Sequence, residues 1–126
     1  MKKISYLLLI LLVMLCIGCG DKKENEPIKS GKVSCDQMKE IMKYDGNPYL
    51  IDVRTKEEYD SGHLDGAINI PYEQVVETLG DTYTVHEDTP IVVYCRSGNR
   101  SGQAFTALKN AGYKNVYDLG AMESCK

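Results

Sequence analysis

The chain has 126 residues, with 15 basic and 18 acidic side chains and a formal net charge of −3. That length accommodates one domain rather than several. The mildly acidic balance argues against a nucleic-acid partner, which calls for a basic face.

Lys2 and Lys3 precede an apolar stretch from Ile4 to Ile17, and Gly18-Cys19 follows. A basic start, a short apolar centre and a small residue at the cut describe an export signal over residues 1–18. The stretch is short for a membrane span, which needs about 20 apolar residues. Cys16-Ile17-Gly18-Cys19 resembles the lipobox of bacterial lipoproteins, although Cys16 stands where leucine is usual. The resemblance implies lipidation of Cys19 and a domain tethered to the extracytoplasmic face of a bacterial membrane, because two acyl chains anchor stably.

Asp21 to Gly31 is charged, mixed in sign and almost free of apolar residues. Such a segment buries too little surface to offset its ordering entropy, so residues 19–31 are read as a flexible tether. Taking Lys2 and Lys3 from the 15 basic residues leaves 13 against 18 acidic, a formal charge of −5. An anionic substrate must then be attracted by local groups. The folded domain is expected over residues 32–126, long enough to form a core without metal or disulfide.

Within it, Ser34 and Gln37 form a capping-box pattern ahead of a helix that reaches Tyr44, with Met38, Ile41 and Met42 as its apolar stripe. Asp45-Gly46-Asn47-Pro48 is turn chemistry. Tyr49 to Val53 reads as a buried strand. Thr55 caps a short helix whose first turn carries Glu57 and Glu58, where acidic groups suit the dipole, and Gly62 ends it. Ala67 to Ile70 is a strand stopped by Pro71, and Tyr72 to Leu79 has helical spacing. Ile91 to Tyr94 is a further strand, Gly102 to Ala111 a helix stopped by Gly112, and Asn115 to Leu119 the last strand. Short apolar strands alternating with helices predict an α/β domain, doubly wound, with a central parallel sheet and helices on both faces. Ligands of such sheets bind beyond the carboxyl ends of the strands.

Cys95 lies at one of those ends, followed by Arg96-Ser97-Gly98-Asn99-Arg100-Ser101. The nucleophilic form of cysteine is the thiolate, and a free thiol has a pKa of about 8.5. Lowering it by about two units takes roughly 2.7 kcal/mol in favour of the anion. A helix N-terminus usually supplies about 0.3–1 kcal/mol, so curled main-chain amides or an arginine must add the rest. Gly98 and Asn99 are residue types that tolerate the left-handed backbone such a curl needs.

Leu50-Ile51-Asp52-Val53-Arg54, then Glu58-Tyr59, then Gly62-His63-Leu64-Asp65-Gly66-Ala67-Ile68-Asn69-Ile70-Pro71, then Cys95 to Ser101, resemble a single-domain rhodanese in order and spacing. The resemblance runs from about Val33 to the C-terminus. It implies sulfurtransfer through a persulfide on Cys95, with the amides of Arg96 to Arg100 holding the outer sulfur. The implied partners are a small anionic sulfur donor such as thiosulfate and a thiol or cyanide acceptor; no metal and no cofactor is called for. Either Arg96 or Arg100 can attract the donor. Related phosphatases place an arginine six residues after the cysteine, where this chain has Ser101, so the loop suits sulfur better than phosphate. Other readings are a low-turnover binding or sensing domain, and a thiol–disulfide protein using Cys95 with Cys35 or Cys125.

Asp52 and Arg54 are read as a structural pair at a strand end, His63 as a hydrogen-bonded structural residue, and Glu57, Glu58 and Asp60 as a solvated helix face. Three cysteines past Cys19 leave at least one without an intrachain partner. Cys35 is expected to be simply packed. Cys125 falls near a tryptophan usual in the family; it is expected to have no role, the alternative being a disulfide with Cys95 or Cys35.

Overall fold

The computed structural model of the protein describes residues 26–126. The expected signal, the lipidated Cys19 and most of the tether lie outside the described residues. Five parallel strands form one sheet: β1 (Gly31–Lys32), β2 (Tyr49–Asp52), β3 (Ile68–Asn69), β4 (Ile91–Cys95) and β5 (Val116–Ala121), in the order β1-β5-β4-β2-β3. The helices are α1 (Cys35–Met42), α2 (Lys56–Asp60), α3 (Val75–Thr82) and α4 (Asn99–Asn110), with short 3₁₀ turns at Tyr72–Gln74 and Met122–Cys125. The doubly wound parallel fold expected above is the one observed.

β4 explains the layering. Every one of its residues is buried, and the two-residue period of a strand sends alternate side chains to opposite faces. Ile91, Val93 and Cys95 join Val75 and Leu79 of α3 and Ala104 and Leu108 of α4. Val92 and Tyr94 join Met38 and Ile41 of α1 on the other side, with Tyr59 of α2 packed against that cluster. The central strand therefore carries two cores at once, and its carboxyl end opens between them.

The capping box of α1 is complete: the Gln37 amide donates to Ser34 Oγ at 3.2 Å, and Gln37 Oε1 accepts from the Ser34 amide at 2.9 Å. Three expectations need correction. The domain starts before residue 32: Gly31 already pairs with Tyr117, Ser30 Oγ donates to the Lys114 carbonyl at 2.7 Å, and the Ile28 carbonyl accepts from the Tyr117 hydroxyl at 3.1 Å. A polar segment with few apolar residues is ordered here because β5 would otherwise expose an unpaired edge. Helix α4 begins at Asn99 rather than Gly102, so the loop after Cys95 is only Arg96-Ser97-Gly98. Cys35 and Cys125 are neither merely packed nor without role. They form a disulfide with a Cα–Cα distance of 5.3 Å, which joins the start of α1 to the C-terminal 3₁₀ turn.

Candidate functional site

Cys95 is the last residue of β4, and its side chain points to the α3–α4 face, where it is fully buried. It is the free cysteine among the described residues. The Gly98 amide donates to its Sγ at 3.0 Å, and the thiol lies 3.5 Å from Ser101 Oγ. Gly98 makes this return possible: it stands at φ 99°, the left-handed region open to glycine. That turn brings the amides of Ser101, Gly98 and Ser97 to bear on the sulfur, in the manner of an anion nest. Asn99 and Arg100 are not part of the curl; they are the first residues of the helix. Tertiary contact sets the seat of the loop. β5 carries an irregularity that pairs Tyr94 with Gly120 instead of Leu119, and a side chain built at Gly98 would stand 3.8 Å from Gly120 Cα.

The balance at the thiol favours the anion. Burial pushes the Cys95 pKa up, but the Ser101 hydroxyl and the amides of Ser101, Gly98 and Ser97 outweigh it and hold the thiol below its ordinary range. Ser101, itself fully buried, was not singled out from sequence as a site residue. Its hydroxyl donates to the Gly98 carbonyl at 3.1 Å, so one oxygen braces the loop and faces the sulfur. Its position one turn inside α4, on the face toward Cys95, was the available signal.

The arginines divide. Arg100 is forked onto Glu58, with Nη1–Oε1 at 2.6 Å and Nη2–Oε2 at 3.0 Å. The bidentate pair is the strong form of this contact, and the Arg100 hydrogen bond holds the Glu58 carboxyl down at a pKa of about 2. Glu58 therefore does not belong to a solvated face; it ties α2 to the first turn of α4. Glu57 is exposed, and Asp60 pairs with Lys56 on the surface. Arg96 is exposed and makes no ion pair among the described residues.

Asp52 and Arg54 form a buried pair at the end of β2, with Nη2–Oδ2 at 2.6 Å, and Arg54 Nη2 also donates to the Gly62 carbonyl at 2.7 Å. Asn69 Nδ2 donates to the carbonyls of both Asp52 and Arg54. Strands β2 and β3 and the Gly62 loop are thus fastened beside β4. His63 is exposed, stacked on Tyr59 at a ring separation of 3.8 Å, with Nδ1 2.9 Å from the Tyr59 carbonyl. Tyr94 receives the Leu64 amide on its hydroxyl at 3.0 Å, and burial pushes its pKa up.

Beyond the strand ends lies an open cleft of about 280 Å³, lined by Arg54, Glu58, Ser61, Arg96 and, from the C-terminal turn, Met122, Glu123 and Lys126. Arg54, Glu58 and Glu123 each have an ion-pair partner. Arg96 is the cleft cation without one among the described residues. Cys95 does not line the cleft; the residue after it does. The thiol itself is fully buried beneath the short loop.

Residues 34–124 match the rhodanese-like domain family. Over 75 residues the chain is 41% identical to the thiosulfate sulfurtransferase PspE of Escherichia coli, covering 60% of this chain and 71% of that protein. It is 39% identical to the adenylyltransferase and sulfurtransferase uba4 of Ogataea parapolymorpha, spanning 82% of this chain but only 25% of that longer protein. Among solved structures, a rhodanese with anions from E. coli is 36% identical with a TM-score of 0.57, covering 61% of this chain and 89% of that one. The human single-domain sulfurtransferase TSTD1 shares the fold with a TM-score of 0.65 at 24% identity, over 78% of this chain and 95% of that one.

Proposed function

The chain belongs to the rhodanese-like family, and from that premise we propose that it is a thiosulfate-type sulfurtransferase carrying sulfur as a persulfide on Cys95. The single observation that supports this most is the Cys95 sulfur itself, free, held toward the anion and bonded by the Gly98 amide. The name of the E. coli relative, a thiosulfate sulfurtransferase, supports the choice of donor.

In the proposed reaction the Cys95 thiolate attacks the outer sulfur of thiosulfate. A new S–S bond forms, the old one breaks, and sulfite leaves with the electron pair. The persulfide keeps one negative charge, and the inward amides replace the water that would otherwise solvate it. Cyanide or a thiol then takes the outer sulfur and returns the thiolate. Arg96 is assigned to donor attraction, because Arg100 is already committed to Glu58. The thiol, held below its ordinary range, gives its proton to solvent, and no side-chain base is assigned; His63 stays stacked on Tyr59. Ionisation requires the Ser101 hydroxyl to turn from the Gly98 carbonyl toward the sulfur, a small rotation with both acceptors in reach.

Replacing Cys95 with serine is expected to abolish thiosulfate:cyanide turnover and to remove the mass gain of one sulfur atom after thiosulfate treatment. Full activity in that variant would sink the mechanism. The closure of the loop over Cys95, fully buried, favours a second reading, a binding or sensing domain with little turnover. Stoichiometric sulfite release on mixing with thiosulfate decides between them: release supports transfer, and binding without release supports sensing. The cysteine pairing argues against the thiol–disulfide alternative. Cys35 is bonded to Cys125, and both pack on the sheet face opposite Cys95.

The proposal includes export and lipidation at Cys19, motivated by the segment Cys16 to Cys19. Palmitate labelling of the full chain, lost in Cys19→Ala, is the expected outcome; label retained in that variant would remove the anchor from this position.

A further inference from the structure

The Cys35–Cys125 disulfide lies at one remove from the donor cleft. Met122, Glu123 and Lys126 supply the cleft wall that faces Arg54 and Arg96. Their own fastening is slight. The 3₁₀ turn buries no residue fully and has no side-chain cap. The Lys126 amide and ammonium both bond to Glu123, inside the same segment. No side-chain hydrogen bond from Met122–Lys126 to another element is present among the described residues; the one such bond there, from the Lys126 ammonium, stays within the segment. What joins the segment to the rest of the domain is the end of β5, the half-buried packing of Met122 and Cys125 against the α1 core, and the covalent bond to Cys35. Cys35 is a firm anchor, being the first residue of a helix fixed by a complete capping box.

We infer that Cys35 and Cys125 are positioning residues for donor capture: their disulfide holds residues 122–126 as a wall of the cleft above the Cys95 loop. Opening the bond frees the wall while leaving the thiolate cradle alone, because that cradle is built from Gly98 and Ser101 on the opposite face of the sheet. The effect belongs in donor binding rather than in sulfur transfer. The inference rests on the sulfurtransfer reading for its kinetics, but its binding test needs no turnover.

The test uses the full chain. Cys35→Ser/Cys125→Ser is compared with wild type at a temperature where near-UV circular dichroism shows both folded. The KM for thiosulfate is expected to rise roughly fivefold or more with kcat held within about twofold, the pattern of lost binding in ground and transition state alike. In a Cys95→Ser background, calorimetric binding of thiosulfate is expected to weaken by the same factor when the disulfide is also removed. Wild-type protein reduced by a dithiol and desalted without oxygen gives the same comparison. There the dithiol supplies two electrons and two protons, leaves as its own disulfide, and two thiols form at Cys35 and Cys125. If the double variant does not fold, Met122→Ala/Lys126→Ala with the disulfide intact must itself raise KM. Unchanged KM and unchanged binding overturn the inference, as does a fall in kcat at constant KM. If wild type releases no sulfite, the sulfurtransfer reading fails, and the binding comparison still decides the role of the disulfide.

Discussion

The two cysteine regions of this domain treat the same element in opposite ways. At the end of β4 the Cys95 sulfur is enclosed, free of any covalent partner, and surrounded by donors that favour its charge. Below the C-terminal turn the Cys35 and Cys125 sulfurs are bonded to each other and cannot ionise. The loop after β4 spends conformational freedom at Gly98 to point amides inward. The C-terminal turn is held by the bond to Cys35 and lines the cleft. The surroundings that favour the charge of one sulfur and the bond that restrains the others thus lie on opposite faces of the sheet.

The largest effect should come from the buried pair beside β4. Asp52→Ala strips the partner from an Arg54 that is 5% exposed and lines the cleft. Leaving a buried charge alone typically costs about 3–5 kcal/mol, so chemical denaturation should show a loss of that size. A loss below about 1 kcal/mol would place this pair with surface bridges instead.

Removing the crosslink comes next. It joins residues 90 apart in sequence, and bonds closing long loops usually contribute about 2–4 kcal/mol. Cys35→Ala/Cys125→Ala should lose that stability with no shift in the pH dependence of Cys95 alkylation. A shift there would show that the two regions are not separable.

Ser101→Ala is the reverse experiment. A hydrogen bond to a charged group contributes about 1.5–3 kcal/mol, so the Cys95 titration should rise by about one to two pH units. Iodoacetamide rates followed against pH at Cys95 measure this. An unmoved midpoint would assign the anion's stabilisation to the amides alone. Gly98→Ala should add a smaller penalty of about 1–2 kcal/mol from the left-handed backbone, read as lower stability.

The smallest effect is at the bridge between α2 and α4, where solvent screens a pair whose side chains are 26% and 29% exposed. The Glu58 carboxyl is depressed by Arg100 to about 2 in the folded chain, against an ordinary value near 4.5. A depressed carboxyl contributes stability that is present above its unfolded pKa and lost as pH falls through the folded one. The pair should therefore weaken between about pH 4.5 and 2. Glu58→Gln should flatten the acid side of the stability profile over that window; an unchanged profile would remove Glu58 from the linkage.

Much of the layout was legible in the chain itself. The apolar run Ile91 to Cys95 declares a buried strand because no alternation relieves it, and Ser34 with Gln37 declares a helix start because capping is local chemistry. The motif order from Asp52 to Ser101 pointed to the family, and Cys95 at a strand end pointed to the site. These features depend on neighbours within a few residues, or on a pattern that persists along the chain.

Other features depend on groups far apart in sequence. Glu58 looked solvated because its partner is 42 residues away, and nothing in the first turn of α2 announces it. The same holds for Cys35 and Cys125, whose pairing exists only after β1 and β5 bring the ends of the domain together. Ser30 and Ile28 read as tether, yet they are ordered by the edge of β5. The loop after Cys95 proved shorter than its composition suggested, because a left-handed Gly98 lets α4 begin at once. Local propensity and periodicity thus determined most of the strands and helices and placed Cys95 at a strand end. Which arginine is free, which thiols are sealed and how the sulfur's charge is held were decided by tertiary contact, since those energies arise between residues that only the folded sheet makes neighbours.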